Sequence, residues 1–350
     1  MVLIFRKVSS TDHRDMTPST DRFVAIVGAP RCGTTSMSDF LKKHGDVSFS
    51  AVKEPHFFSQ FDLNPCSDSE LREKIETEYL ARYFPDYPGN GAVLAEASVS
   101  YLYRPEQMLP ILRMWPEAKF IIAIRDPMEL LPSVHRRLLY IGDEVVTDFS
   151  RAWSLVGERR KGRNIPRSCV DPRWLYYDEI GRLGKHVENF ISVVGRERCF
   201  IAVFDDLAAD PSAVYRSVLE FVGLPEDDRQ DFAPQRPSRG YKSGRLQRLL
   251  KRPPKAMRGY LAGQHYRQRV KSLDRPDGIR SRVATAILSA RKRVLRWNIA
   301  DAPPIVVDDA VRKNIRELLK DDVARLSRVI DRDLSHWLGN GRRAKQEQAA

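Results

Sequence analysis

Three uninterrupted apolar runs of strand length mark the first two thirds of the chain: FVAIVG at 23–28, FIIAI at 120–124 and CFIAVF at 199–204, with the shorter AVLAE at 92–96. Runs without polar alternation suit strands buried on both faces. Between them the apolar positions recur at helical spacing. Met37, Phe40 and Leu41 mark a helix from Thr34 to Lys43, stopped at His44-Gly45, and helices are also predicted over 105–114 and 176–194. Asp210-Pro211 supplies an N-cap followed by a proline at the first helical position, and that helix is predicted to end near Gly223. Short buried strands alternating with helices predict an α/β fold: a doubly wound parallel sheet with helices on both faces.

Beyond Pro225 the pattern changes to Arg-rich, Pro-broken sequence without strand signals, followed by predicted helices over 281–297 and 308–337. The first of these is basic and amphipathic. Residues 1–21 mix charge, Ser, Thr and Pro18 without periodicity and are read as a flexible leader. The expected organisation is one domain over 22–345, comprising an α/β core at 22–235, a basic loop and helix region at 236–300 and a C-terminal helix at 301–345. The sequence contains no internal repeat.

Composition places a chain of 350 residues, 42% apolar and 30% charged, in the ordinary globular range. Four widely spaced cysteines, Cys32, Cys66, Cys169 and Cys199, form neither a C-x-x-C pair nor a cluster with histidine. That argues against a disulfide framework or structural zinc and predicts a reducing, cytoplasmic setting. MVLIF is too short for a signal core, and no apolar stretch approaches the ~20 residues of a membrane span. Charge is unevenly placed. Residues 236–300 hold 19 Lys and Arg against Asp274 and Asp277, an excess larger than the net +13 of the whole chain, so the remainder is slightly acidic. Such a field implies an anionic partner (a nucleotide-like donor, an anionic substrate such as a glycan, a membrane surface touched peripherally, or nucleic acid), the alternative being a solvated basic surface.

The first strand runs into Gly28-Ala-Pro-Arg31-Cys32-Gly33-Thr34-Thr35, the G-x-x-x-x-G spacing of a phosphate-binding loop of the P-loop NTPase type. Two glycines let successive N–H groups face one concavity, and the following helix adds its positive end. The Lys expected after the second glycine of a nucleoside triphosphatase is Thr34 here, while a cation stands earlier, as Arg31. A nucleotide kinase or NTPase, the first alternative, loses its key side chain. The second strand signature ends in Arg125-Asp126-Pro127 and reaches Ser133 eight residues after the arginine. Arg125 falls at the carboxyl end of a parallel strand, where ligands bind, and a guanidinium with a hydroxyl satisfies a dianionic phosphate.

These residues resemble the sulfotransferases that use 3′-phosphoadenosine 5′-phosphosulfate (PAPS), whose donor loop reads approximately P-K/R-x-G-T-T. The resemblance implies that Arg31, Cys32, Gly33, Thr34, Thr35 and Ser36 form the 5′-phosphosulfate loop, Cys32 as a filler rather than a nucleophile, and that no metal is needed. It implies that Arg125 and Ser133 hold the 3′-phosphate. Family members often carry a second Arg five residues after the first, where this chain has Leu130. The balance is expected from the basic SRGYKSGR segment through Arg239, Lys242 and Arg245. Val52-Lys53-Glu54-Pro55-His56-Phe57-Phe58 is similar to the carbohydrate-modifying members, in which such a Glu is the base. Glu54 is therefore the expected base, and His56 either its support or substitute or a packing and hydrogen-bonding residue beside the aromatics, with Lys53 either touching the donor or solvated. Glu96-Ala97-Ser98-Val99-Ser100-Tyr101 resembles the E-x-S/T-P-x-Y stretch, with Val99 in place of the common Pro and Ala97 where some glycan enzymes have a catalytic Lys. Glu96 and Ser98 are expected either on the acceptor side or in the core. His135 is read as a neighbour of the site.

The resemblance spans 23 to about 250 and implies sulfuryl transfer from PAPS, releasing adenosine 3′,5′-bisphosphate (PAP), to a small-molecule or glycan hydroxyl. A nucleic-acid-binding protein, the other alternative, would need aromatic residues interleaved with the basic ones. Only Tyr241, Tyr260, Tyr266 and Trp297 are scattered there, so no specific nucleic acid is expected.

Overall fold

A computed structural model describes residues 22–87, 92–232, 239–252, 289–301 and 305–339. The leader 1–21, the stretch 281–288 of the predicted basic helix and the end of the C-terminal region fall outside the described residues. Five strands form one parallel sheet: β1 (Arg22–Ile26), β2 (Val47–Phe49), β3 (Val93–Ala97), β4 (Lys119–Ile124) and β5 (Cys199–Val203), in the order β2-β3-β1-β4-β5. Phe23 to Ile26, Val93 to Ala97 and Phe120 to Ile124 are almost completely buried, as expected for strands covered by helices. The chain leaves β1 toward one edge of the sheet and leaves β4 toward the other. Strand order therefore reverses between β1 and β4, and the crevice beyond their carboxyl ends is where such sheets bind ligands.

Helix α1 (Thr34–Lys42) follows β1, and helix α2 (Pro127–Ile141) follows β4 with the Asp126 carboxylate accepting from the Met128 N–H at 2.8 Å. The predicted helix over 176–194 is broken at Gly181 into Tyr177–Ile180 and α3 (Leu183–Val194). The Asp210 cap is present on α4 (Pro211–Val222), its carboxylate accepting from Ala213 at 2.9 Å.

Two C-terminal expectations change. The Arg-rich region contains an antiparallel ribbon, β6 (Arg239–Tyr241) with β7 (Ile299–Asp301), whose three-residue strands are too short to give a periodic signal. Between them lie α5 (Gly244–Lys251) and a helical segment over 289–297. The last helix, α6 (Asp309–Ile330), ends seven residues early because Asp331 turns left-handed at φ 51°. Its Asp322 carboxylate accepts from the N–H groups of Gly184 and Lys185 at 2.7 and 2.9 Å, so α6 caps α3 and is fastened to the core. The basic module is fastened to the end of α2: Gln247 donates to the Tyr140 carbonyl at 2.8 Å, and Arg252 binds both oxygens of Asp143 at 2.7 and 2.9 Å. No helix among the described residues is long and apolar enough to cross a membrane.

The loop after β1 is stitched to β4 by Val27 N–H to the Ile121 carbonyl and Ala29 N–H to the Ala123 carbonyl, both 2.9 Å. A Cβ at Gly28 would lie 2.0 Å from the Ala123 nitrogen and 2.5 Å from its Cα. Backbone cannot yield as a side chain can. Gly28→Ala is therefore expected to cost about 3 kcal/mol, at the upper end of ordinary overpacking, read as a lower denaturation midpoint; an unchanged midpoint would contradict this packing.

Candidate functional site

The loop between β1 and α1 curls through two left-handed residues, Arg31 at φ 69° and Gly33 at φ 82°. A Cβ at Gly33 would also lie 2.3 Å from the Leu207 side chain. The first intrahelical bond of α1 runs from Met37 to the Gly33 carbonyl at 3.2 Å, so the amides of Thr34, Thr35 and Ser36 have no acceptor inside the helix. Those donors and the helix end favour an anion. Cys32 is buried, and burial pushes its thiol up to about 12, which removes it as a nucleophile.

Two guanidiniums meet at this loop. Arg31 Nε donates to Ser133 Oγ at 3.1 Å, and Arg125 donates to the Arg31 carbonyl at 3.2 Å. Arg125 is held from the other side by Glu129, which accepts from Nε and the terminal nitrogen at 3.1 and 2.9 Å, and its guanidinium lies 4.1 Å over the Phe204 ring. Burial lowers the Arg31 pKa, and the charges of Arg137, Arg125 and Arg136 lower it further. This clustering of cations leaves positive potential to be relieved by an anionic ligand.

The opposite wall is the Lys53-Glu54-Pro55-His56 segment. Lys53 Nζ donates to Thr35 Oγ1 at 3.1 Å and to Glu54 Oε1 at 3.2 Å, tying this wall to the loop. Burial alone would raise the Glu54 carboxyl; Lys53, His56 and Arg137 outweigh it and bring it to about 2. His56 Nε2 faces Glu54 Oε2 at 3.8 Å. The other ring nitrogen is 2.7 Å from Ser100 Oγ, Ser100 is 2.7 Å from Ser59 Oγ, and Ser59 donates to the His56 carbonyl at 3.1 Å. Because the Ser59 proton goes to that carbonyl, Ser100 donates to Ser59 and accepts from Nδ1–H. With Nδ1–H given to Ser100, it is the ring protonated on both nitrogens that turns an N–H toward Glu54, and that imidazolium is the charge by which His56 lowers the Glu54 carboxyl. Glu54 (φ 61°) and His56 (φ 54°) are both left-handed, a conformation that costs non-glycine residues roughly 1–2 kcal/mol each. Three non-glycine residues in this strained region, Arg31, Glu54 and His56, thus converge on one crevice.

The structure brings together the predicted Arg31, Gly33, Thr34, Thr35, Ser36, Lys53, Glu54, His56, Arg125 and Ser133. Lys242 and Arg245 stand on the module beyond the end of α2, both exposed, with Lys242 Nζ 5.1 Å from the centre of the Trp297 ring. The side chain of Arg239 falls outside the described residues. Glu96 and Ser98 take the core alternative, completely buried. His135 is also buried, between the rings of Phe149 and Tyr177, with Nε2 2.8 Å from the Val146 carbonyl.

Sequence reasoning missed Arg137, Glu129 and Phe204. Arg137 is four residues after Ser133 on α2, a helical spacing that places both on one face. Phe204 directly follows a buried strand whose carboxyl end borders the crevice. Among the described residues no group of three or more His, Cys, Asp or Glu could hold a metal ion.

Comparison with known proteins matches residues 24–228 to the model of the "Sulfotransferase family". Carbohydrate sulfotransferase 15 of Mus musculus is 25% identical over 254 residues, covering 59% of this chain and 44% of the relative. Heparan sulfate glucosamine 3-O-sulfotransferase 3B1 of Mus musculus is 25% identical over 201 residues, covering 57% of this chain and 45% of the relative. The chain thus spans less than half the length of these curated relatives. Among solved structures, a sulfotransferase from Alicyclobacillus acidocaldarius superposes with a TM-score of 0.58 at 22% identity, covering 92% of this chain and 99% of that one, a likeness of fold.

Proposed function

The chain belongs to the sulfotransferase family, and on that premise we propose that it transfers the sulfuryl group of PAPS to a hydroxyl of a carbohydrate or glycolipid, with Glu54 as general base. The observation that carries this reading is the Lys53 ammonium, bonded at once to Thr35 of the anion loop and to Glu54, which puts a carboxylate next to the anion site. The names of the two carbohydrate-acting relatives favour a glycan acceptor.

In this mechanism the loop amides, Arg31 and Lys53 take the 5′-phosphosulfate. Arg125 and Ser133 take the 3′-phosphate, with Lys242 and Arg245 contributing from the module packed on α2. An acceptor hydroxyl oxygen attacks sulfur; the new S–O bond forms as the S–O bond to the adenylate breaks, and its electron pair passes to the departing phosphate oxygen of PAP. The hydroxyl proton goes to Glu54. Negative charge grows on the departing oxygen, where preorganised cations and N–H groups stabilise it most. An ionised carboxylate removes the proton of an otherwise poor nucleophile.

Incubation with radiolabelled PAPS and a panel of oligosaccharide, glycolipid and phenolic acceptors, with EDTA throughout, tests this. Label is expected on a carbohydrate acceptor; transfer to phenols alone would overturn the glycan assignment, and transfer to none would overturn the reading.

A further inference from the structure

We infer that Glu96 and Ser98, enclosed at the end of β3, are positioning residues that hold the Glu54–His56 segment in its working backbone conformation; this rests on the reading of Glu54 as base.

Neither residue is open to solvent, so neither can touch an acceptor. Glu96 collects three hydroxyl donors: Tyr79 and Tyr101 on Oε1, each at 2.8 Å, and Ser98 on Oε2 at 2.6 Å. Ser98 has one proton, and Glu96 takes it. Only lone pairs remain on Ser98 Oγ, and one accepts the His56 N–H at 2.9 Å. The carboxylate therefore sets the polarity of the hydroxyl beneath the strained turn. Ser59 donates to the carbonyl of the same residue, so both backbone polar groups of His56 are gripped by side chains. Pro55 contributes no N–H, and a residue before proline normally avoids helical backbone angles. Left-handed Glu54 must then be maintained from outside its own dipeptide, and the clamp on His56 supplies that constraint. Tyr79 reaches Glu96 from the π-helical turn Ile75–Leu80, while Tyr101 also accepts the Phe58 N–H at 3.4 Å. The turn that carries the base is thus fixed to the sheet through one buried carboxylate.

The experiment compares Ser98→Ala, Ser98→Thr, Glu96→Gln and Glu54→Gln, using the oligosaccharide that turns over fastest in the labelled-donor panel, with PAP affinity measured by calorimetry. Ser98→Ala is expected to keep PAP affinity within about twofold while kcat falls on the order of ten- to a hundredfold, the scale of a misplaced catalytic group. Ser98→Thr, which retains the hydroxyl, is expected to restore kcat to within a few-fold. Glu96→Gln is expected to repeat the selective loss, since an amide cannot accept all three hydroxyls, and it serves where Ser98→Ala does not fold. Unchanged kcat in Ser98→Ala, or kcat and PAP affinity falling together in both variants, would overturn the clamp. So would a folded Ser98→Thr that fails to rescue. Undiminished turnover in Glu54→Gln would instead overturn the reading of the base, whatever the Ser98 variants do.

Discussion

Arg31→Ala is expected to lose turnover on the order of 10²–10³-fold, about 2.7–4 kcal/mol of transition-state stabilisation, while the protein stays folded. Arg31 is held by Ser133 inside the anion loop, and it sits among Arg125, Arg136 and Arg137, whose charges add to burial in lowering its pKa. In the absence of an anion, removing one member of such a cluster relieves repulsion. The melting temperature should therefore hold or rise as activity falls, and PAP should stabilise the variant less than the parent. A rate within threefold of the parent, roughly 0.6 kcal/mol, would exclude Arg31 from the reaction. Arg31→Lys is expected to recover only part of the rate, because an ammonium lacks the planar fork that binds two oxygens.

The second large effect is expected for Glu54→Gln: a kcat lower by about 10²–10⁴-fold with PAP binding retained or strengthened, because a negative charge beside the donor is lost. The pH profile separates the two candidate bases. With the Glu54 carboxyl at about 2 in the free protein, it is ionised throughout the neutral range, so it places no acid limb in kcat/KM above about pH 4. An imidazole acting as the base would bring such a limb near pH ~6.5. Linkage runs in the same direction. A carboxyl depressed by folding stabilises the native state above the unfolded value of ~4.3 and loses that contribution as pH falls toward its native value. Glu54→Gln should flatten that part of the stability profile.

Much of this site was legible because its chemistry is local in sequence. The anion loop follows an apolar strand with its glycines at fixed spacing, and Arg125 sits at the end of another. What escaped depends on contacts between distant segments. Strand β2 is three half-buried residues long and β6 and β7 are no longer, too short for any periodicity to register. Nothing in LeuAlaGluAla reveals whether a glutamate at a strand end faces a crevice or the core; Tyr79, seventeen residues earlier, decides it. The left-handed turn at Glu54 and His56 was equally hidden, since a positive φ is uncommon for any non-glycine residue and glutamate is not among the types enriched there. Phe204 reads as one more apolar residue until Arg125 is found over its ring.

The central claim is that the crevice beyond β1 and β4 grips an adenosine bisphosphate rather than a triphosphate. Calorimetric titration with PAP is expected to give saturable heat at one site per chain, which Arg125→Ala abolishes, and ATP with magnesium is expected to bind more weakly. No heat with PAP, or magnesium-dependent ATP binding tighter than that of PAP, would contradict the claim.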